Sequence, residues 1–537
     1  MSQTARRSRA GGSEGPEPAA HGRPWLSLTA VALGVMTVGL DATAVTLANP
    51  AIAADLGADL TGLQWVTNGY LLALAVALIP SGKAADRFGR KKIFLAGVIG
   101  FFLASLMVGL SGSIGMVVFW RVVQGVAGAM LQPAGLAIIR NAFPPHRLAT
   151  AIGIWGAAVG VSTAGGPIIG GLLVEHIGWE WVFYVNVPLG IAAALLGLAV
   201  IRESRDGESG TSLDPPGVLL LSGALFALVF GLIRAGSHGF DGRLPLASFA
   251  AFAVLGAAFL ARESRTAQPL LPLRLFRSRA LSAATVLMIV GIFGLFGSIF
   301  FVQLYLQQVR GLGPIDAGVH ILPMTGIFIV SAPLGSLLAE RAGPRTPLLI
   351  GMLCNAVALY GLSRMGMDAP YAHQWPWYLL IGFAFGLVLT AATDAIVGNA
   401  PEQLAGVAGG LQQTAFQVGG MLGTSVLGAV VSMRVGDVLV DRLTEAGLAA
   451  PMARQLLAAK EYVAQGGAPA PPGTPEPAAQ MIATGSHLAF MDGFHTAMLV
   501  GALVSVAGTL VALIVRKGGN SVPTGENVPA KGREGAL

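Results

Sequence analysis

The sequence predicts an all-α integral membrane protein of about fourteen helices, and three observations predict it. Of 537 residues, 54% are hydrophobic and 11% charged, less than half the roughly 25% charged share of an ordinary soluble domain. Apolar segments of roughly 18 or more residues, each long enough to cross a bilayer, recur along the whole chain. Between the second and third of them lies a tight basic loop, residues 82–92, carrying Lys83, Arg87, Arg90, Lys91 and Lys92. Lys and Arg are held on the cytoplasmic side during insertion, so this loop orients the helices on either side of it. The formal charge of +6 is spread over short loops and builds no continuous basic face, which argues against nucleic acid as a partner.

Residues 1–24 are polar and hold too little apolar surface to offset the entropy of ordering, so a disordered cytoplasmic tail is expected. The segment from Trp25 stays apolar for about 20 residues, too long for a signal-peptide core. Helices are expected near 25–47, 63–81, 93–111, 114–139, 150–174, 182–201, 216–234, 244–261, 281–306, 316–338, 347–365, 376–398, 405–431 and 494–515. With the N-terminus inside, the cytoplasmic connections hold the first basic loop, Arg140 and Arg147, Arg202 and Arg205, the cluster from Arg262 to Arg279, Arg341 and Arg345, and Arg516 with Lys517. The outer connections hold roughly a third as many basic residues, and both termini are expected in the cytoplasm, the second as a disordered tail over 516–537. Residues 432–492 open on an amphipathic stretch with Asp437, Asp441, Arg442, Glu445 and Arg454, then reach Gly466, Gly467, Pro469, Pro471 and Pro472. That run is no helix interior. The segment is expected as an extracytoplasmic loop, a flexible tether with a lid or docking role left open.

A weak internal repeat divides the chain. Residues 336–345 echo the first basic loop, with Glu340 and Arg341 at the positions of Asp86 and Arg87, and Gly343 at that of Gly89. Two six-helix bundles are expected, over 25–201 and 281–515, related as parallel repeats with a substrate site near mid-depth between them. About eight helices separate the echoes, so two helices within 202–280 are read as an insertion.

Charged and amide side chains inside these helices mark the candidate site. A guanidinium within the bilayer costs several kcal/mol unless paired, which makes Arg121 a functional residue by default. At a rise of about 1.5 Å per residue, Asp41 lies roughly 21 Å above the cytoplasmic boundary. Arg121 lies roughly 10 Å below the outer edge of a core about 30 Å thick. The two share a depth and are expected to meet in one cavity of the N-terminal half. Either Arg121 tunes the proton affinity of Asp41 against substrate arrival, or the two form a static pair between helices. Asp394 is a second buried-carboxylate candidate that also has the reach to snorkel. His320 is placed within the tenth helix, and Glu175 and His176 at the interface. Gln124, Gln303, Gln307, Gln413 and Gln417, with Gln412, are expected around the cavity because lipid-facing amides are costly. Trp65, Phe383, Phe385 and Met324 are candidate wall residues.

Several of these segments resemble the major facilitator superfamily, specifically its fourteen-helix drug:proton antiporter branch, over residues 40–515. The basic loop resembles the superfamily's connection between its second and third helices, which implies a cytoplasmic gate at Gly82, Asp86, Arg87, Gly89 and Arg90, echoed by Glu340 and Arg341. Residues 118–128 resemble its fourth-helix motif, implying proton coupling through Arg121. Residues 153–171 are similar to the antiporter signature, carried here by Gly153, Gly166, Pro167, Gly170 and Gly171, with Ser162 where Gly is usual. Residues 39–50 resemble the first-helix motif around Asp41, departing from it at Thr46 and Asn49. Residues 178–190, Gln64 with Trp65 and Tyr70, and residues 405–420 also fit the branch.

No phosphate loop, H-E-x-x-H run or nucleophile elbow occurs, so neither ATP hydrolysis nor an enzyme is expected. Cys354, the single cysteine, allows no intrachain disulfide and no cysteine-based metal site. The resulting expectation is a monomeric, multi-pass cell-membrane transporter that needs no cofactor beyond a proton gradient and meets small-molecule substrate, protons and lipid. It would export hydrophobic or cationic molecules by alternating access. A dedicated exporter, a symporter, or a non-transporting receptor stays open.

Overall fold

The structure, a computed structural model, describes residues 23–205, 214–266, 269–400, 404–471 and 473–514. Most of both expected tails lies outside the described residues, and Pro24 already opens the first helix. Among the described residues, fourteen helices are long and apolar enough to cross a membrane. They are α1 Pro24–Leu56, α2 Leu60–Phe88, α3 Arg90–Gly109, α4 Ile114–Ala142, α5 Pro145–His176, α6 Trp181–Val200, α7 Pro215–His238 and α8 Arg243–Glu263, then α9 Arg279–Val309, α10 Leu322–Ala342, α11 Arg345–Leu362, α12 Tyr371–Gly398, α13 Ala405–Glu445 and α14 Glu476–Ile514.

Local chemistry sets the turns between them. Asp59 caps α2 by accepting from the Gly62 amide at 2.7 Å, and Ser113 caps α4 through Met116, satisfying amides that a helix start leaves unpaired. Gly89 parts α2 from α3 at φ +114°, where a Cβ would stand 2.5 Å from the Glu203 carboxylate. Only glycine accepts that conformation readily.

Helices α1–α6 and α9–α14 build the two bundles. In the first, α1 packs on α4, α5 and α6, and α2 and α3 on α4. In the second, α9 packs on α12, α13 and α14. The halves meet along two seams, α2 against α13 on one side and α5 against the start of α10 and the short helix Pro314–His320 before it on the other. The hairpin α7–α8 docks on the first seam through α7, which touches both α2 and α13. Trp65 of α2 stacks on Phe226 and Phe230 of α7, at 5.5 and 6.4 Å between ring centres. On α13, Ser432 donates to the Gly236 carbonyl at 3.1 Å. At the basic-loop end, Arg262 and Asp214 pair at 2.6 Å, and Lys83 donates to the Pro269 carbonyl at 3.1 Å. Arg262 holds the Asp214 carboxyl below its usual range, chiefly through their hydrogen bond.

Two expectations about elements need correction. The segment 432–492 is largely helical: α13 runs unbroken to Glu445 and α14 starts at Glu476. Arg442 clamps the two by bonding Asp492 at 2.7 Å, and Val463 and Ala464 between them are buried. A bilayer-length rule stops a helix where polarity rises, whereas these polar faces continue beyond the apolar span. Helix ceases where the Gly and Pro residues stand, over 464–471 and 473–475. The tenth expected helix is also broken, into Pro314–His320, Leu322–Gly326 and Phe328–Ala342. Pro323 lacks an amide donor at the first break, and His320 sits half-buried at the end of the first piece, its Nδ1 against the Asp316 carbonyl.

Candidate transport site

Asp41 and Arg121 meet as expected from their depth. Arg121 Nη1 lies 2.5 Å from Asp41 Oδ2, and Asp41 is 0% and Arg121 2% exposed. A buried ion pair is tolerated only if its remaining donors and acceptors are also satisfied, and here they are shared among four helices. Arg121 Nη1 also donates to Gln124 Oε1 at 2.6 Å and Nε to the Val66 carbonyl at 3.2 Å. Asp41 Oδ1 accepts from Gln124 Nε2 at 3.1 Å and from Asn186 Nδ2 at 3.4 Å. Asn186 also donates to Ser105 Oγ at 3.0 Å. Arg121 Cζ lies over the Tyr70 ring, 4.1 Å from its centre, a cation–π contact in a dry setting.

A cavity of about 420 Å³ lies beside this cluster, between the halves. Its walls come from α1, α2, α4 and α5 on one side and from α9, α10, α12 and α13 on the other. Tyr70 and Thr43 line it, while Asp41 and Arg121 do not. The expected common cavity is thus corrected: the pair stands behind Tyr70, because α1 turns Asp41 towards α4 and presents Ala42 and Thr43 to the opening.

The amides divide. Gln413 and Gln417 line the cavity, with Gln412 and Gln132, and Gln413 bonds Gln132 across the halves. Gln124 does not, being spent on the ion pair. Gln303 and Gln307 also lie elsewhere: Gln307 donates to Gln303 and to the Leu47 carbonyl of the other half at 3.3 Å. Trp65 faces the inserted hairpin instead. Met324 and Phe385 line the cavity, but Phe383 does not. Periodicity alone could not sort these, because a membrane helix offers polar residues three kinds of buried neighbour: cavity, seam and bundle interior.

The end of the molecule opposite the basic loop is closed. Gly166 and Gly170 of the α5 motif let α1 approach, a Cβ at Gly170 falling 3.0 Å from Ala44 Cα. Gly171 does the same across the seam, where a Cβ would stand 2.7 Å from the Pro314 carbonyl, and a Cβ at Gly318 would stand 2.6 Å from the carbonyl of buried Pro167. Gly153 lies on the same helix, its surroundings outside the described residues. Glu175 Oε2 accepts from the Ile315 amide at 2.9 Å. On the other seam, Gln64 donates to the Thr424 carbonyl at 3.0 Å and Asn68 to Ser425 Oγ at 3.0 Å, with Thr424 Oγ1 donating back to Asn68 at 2.6 Å.

Asp86 pairs with Arg90 at 3.0 Å within its own loop, Gly82 faces Pro133 of the same half, and Arg87, Glu340 and Arg341 are exposed. Asp394 is exposed at the same end and has no hydrogen bond or ion pair among the described residues. Among the described residues no cluster of His, Cys, Asp and Glu could hold a metal ion. Tyr70, Ser105 and Asn186 complete the site without having been assigned a role from sequence. Their signal was a polar side chain in an otherwise apolar run facing the depth of Asp41.

Two half-bundles around a central cavity, sealed at one end, define a membrane transporter. A family model described as Major Facilitator Superfamily matches residues 31–424. The chain is 49% identical to the tetracenomycin C resistance and export protein of Streptomyces glaucescens, covering 94% of this chain and 93% of that one. It is 34% identical to the puromycin resistance protein pur8 of Streptomyces alboniger (80% and 86% covered) and 32% identical to the multidrug efflux pump LfrA of Mycolicibacterium smegmatis (76% and 81% covered). Its fold is similar to that of a bacterial homologue of the human lysosomal transporter Spinster, with a TM-score of 0.60 at 20% identity, covering 91% of this chain and 96% of that one. The chain belongs to the Major Facilitator Superfamily, in its fourteen-helix drug:proton antiporter branch. It is a multi-pass transporter of small molecules in the cell membrane, not an enzyme.

Proposed function

We propose that the protein expels an antibiotic-like small molecule in exchange for protons, with Asp41 as the proton carrier. The observation that supports this most is the position of Tyr70, which packs on Arg121 and also lines the cavity. While Asp41 is ionised it holds Arg121. Once protonated it loses most of that attraction, and Arg121 presses on Tyr70, narrowing the substrate's place. Substrate against Tyr70 drives the reverse step, so cargo and proton exclude one another. No cofactor enters; the proton gradient supplies the work, and a single chain holds the whole cycle.

The basic-loop end faces the cytoplasm, with both termini, so that the conformer is sealed towards the outside. Opening it parts Gly171 from Pro314, Glu175 from Ile315 and Asn68 from Ser425, while the loop containing Asp86, Arg87 and Arg90 closes towards the end of α10 bearing Glu340 and Arg341. Residues 25–201 and 281–515 rock as the two bodies, and 202–280 rides on their seam. Asp394, at the cytoplasmic end, serves as a second proton acceptor. The 49% identity to an export protein for one named antibiotic favours dedicated over broad export. Drug accumulation in cells, with and without an uncoupler, tests the function: accumulation should rise on expression loss and on uncoupling alike, and an uncoupler-insensitive protein would refute proton exchange.

A further inference from the structure

Resting on the export reading, we propose that the cargo is an uncharged, flat, oxygen-rich ring system, and that permanent cations are excluded. Among the described residues, the cavity wall contains no Asp, Glu, Lys, Arg or His. The one buried acid nearby, Asp41, is 0% exposed, already paired, and screened by Tyr70. A cation in this cavity would lose its hydration and find no counter-charge.

What the wall does offer is neutral hydrogen bonding. Gln132, Gln412, Gln413 and Gln417 present amides, each both donor and acceptor. Two further groups on lining residues have no partner among the described residues: the Tyr70 hydroxyl and the Trp155 indole N–H. Tyr70 is 2% exposed, and a buried hydroxyl left unpaired carries a cost that a bound oxygen would remove. Carbonyl and hydroxyl groups of a neutral solute match this set.

The aromatic residues fit the same solute. Phe328 stacks on Phe385 at 5.0 Å and 27°, and Phe296 meets Phe416 edge-on at 5.8 Å and 85°. A cage for a quaternary ammonium turns several ring faces on one point, whereas these rings spend faces and edges on each other. They leave an apolar wall against which a fused ring system lies flat. The volume, about 420 Å³, suits a ligand of drug size.

The test uses the full chain in proteoliposomes with two flat aromatic probes of opposite character, a neutral dihydroxyanthraquinone and the cation ethidium. Under an imposed pH gradient the anthraquinone should be moved at least about tenfold faster than ethidium, since a site built around hydrogen bonds discriminates strongly against a mismatched ligand. Because the cargo carries no charge, its exchange for protons moves net charge, and a membrane potential alone should also drive it. Gln417→Leu should raise the KM for the anthraquinone about five- to tenfold, and Gln417→Glu should bring ethidium transport. Ethidium carried as well as the anthraquinone, an unchanged KM in Gln417→Leu, or indifference to membrane potential would each overturn the inference while leaving export standing. Movement of neither probe under any gradient would overturn the inference and the export reading together.

Discussion

Replacing Asp41 by Asn separates the two roles open to the buried pair. The variant leaves a guanidinium at 2% exposure without its counter-charge, and removing one member of a buried pair costs about 3–5 kcal/mol. The low end applies. Asn keeps an oxygen at the same place, and Arg121 retains Gln124 at 2.6 Å, the Val66 carbonyl at 3.2 Å and the Tyr70 face at 4.1 Å. A loss of about 3 kcal/mol is therefore expected in unfolding measured in detergent. Adding Arg121→Met should recover much of it, because an apolar pair of similar volume needs no counter-charge. Transport divides the readings. One-proton exchange sustains about a tenfold substrate gradient per pH unit, so wild-type proteoliposomes should concentrate cargo about tenfold, while Asp41→Asn should only equilibrate it. A variant that is destabilised yet still concentrates cargo would refute the proton-carrier role and leave a structural ion pair.

Gly171→Val would drive side-chain carbon into the Pro314 carbonyl, 2.7 Å from the Cβ position; the outer end should fail to close, measured as raised labelling of a cysteine placed at Ile169 in α5. Asn68→Leu removes two buried bonds between the halves and should shift the equilibrium towards the outward-open state by about 1–3 kcal/mol, read by distance measurements between spin labels at the outer ends of α2 and α13. The Asp214 carboxyl, held below its usual range by Arg262, stabilises the pairing of α7 with α8 fully above its unfolded pKa of about 3.9. That contribution fades as pH falls through the lower folded value, so acid should loosen the hairpin in the wild type, and Asp214→Asn should abolish this acid step in thermal unfolding.

The fourteen spans were legible because each apolar run meets a physical length, and the depth of Asp41 and Arg121 because helical rise is constant. Their meeting follows from those two facts. The position of Gln124 was not legible: one turn beyond Arg121 on α4, its amide reaches the ion pair, and only the azimuth of that face tells this from a place on the cavity. Trp65 is similar, since a tryptophan reads alike whether it meets substrate or Phe226. Helices α13 and α14 outran the expectation because polarity marks the end of the bilayer, not the end of a helix. The contact between Glu175 and Ile315 escaped because it joins residues 140 positions apart.

The docking of α7 on both α2 and α13 shapes how a greasy solute reaches the interior. Molecules dissolved among the acyl chains approach a two-body protein most directly through its side clefts, and on one flank Phe226, Phe230 and Trp65 stand across that route. Among the described residues, no helix from outside the two bundles bridges the flank formed by α5 and α10, so lateral loading is expected there and not beside α7.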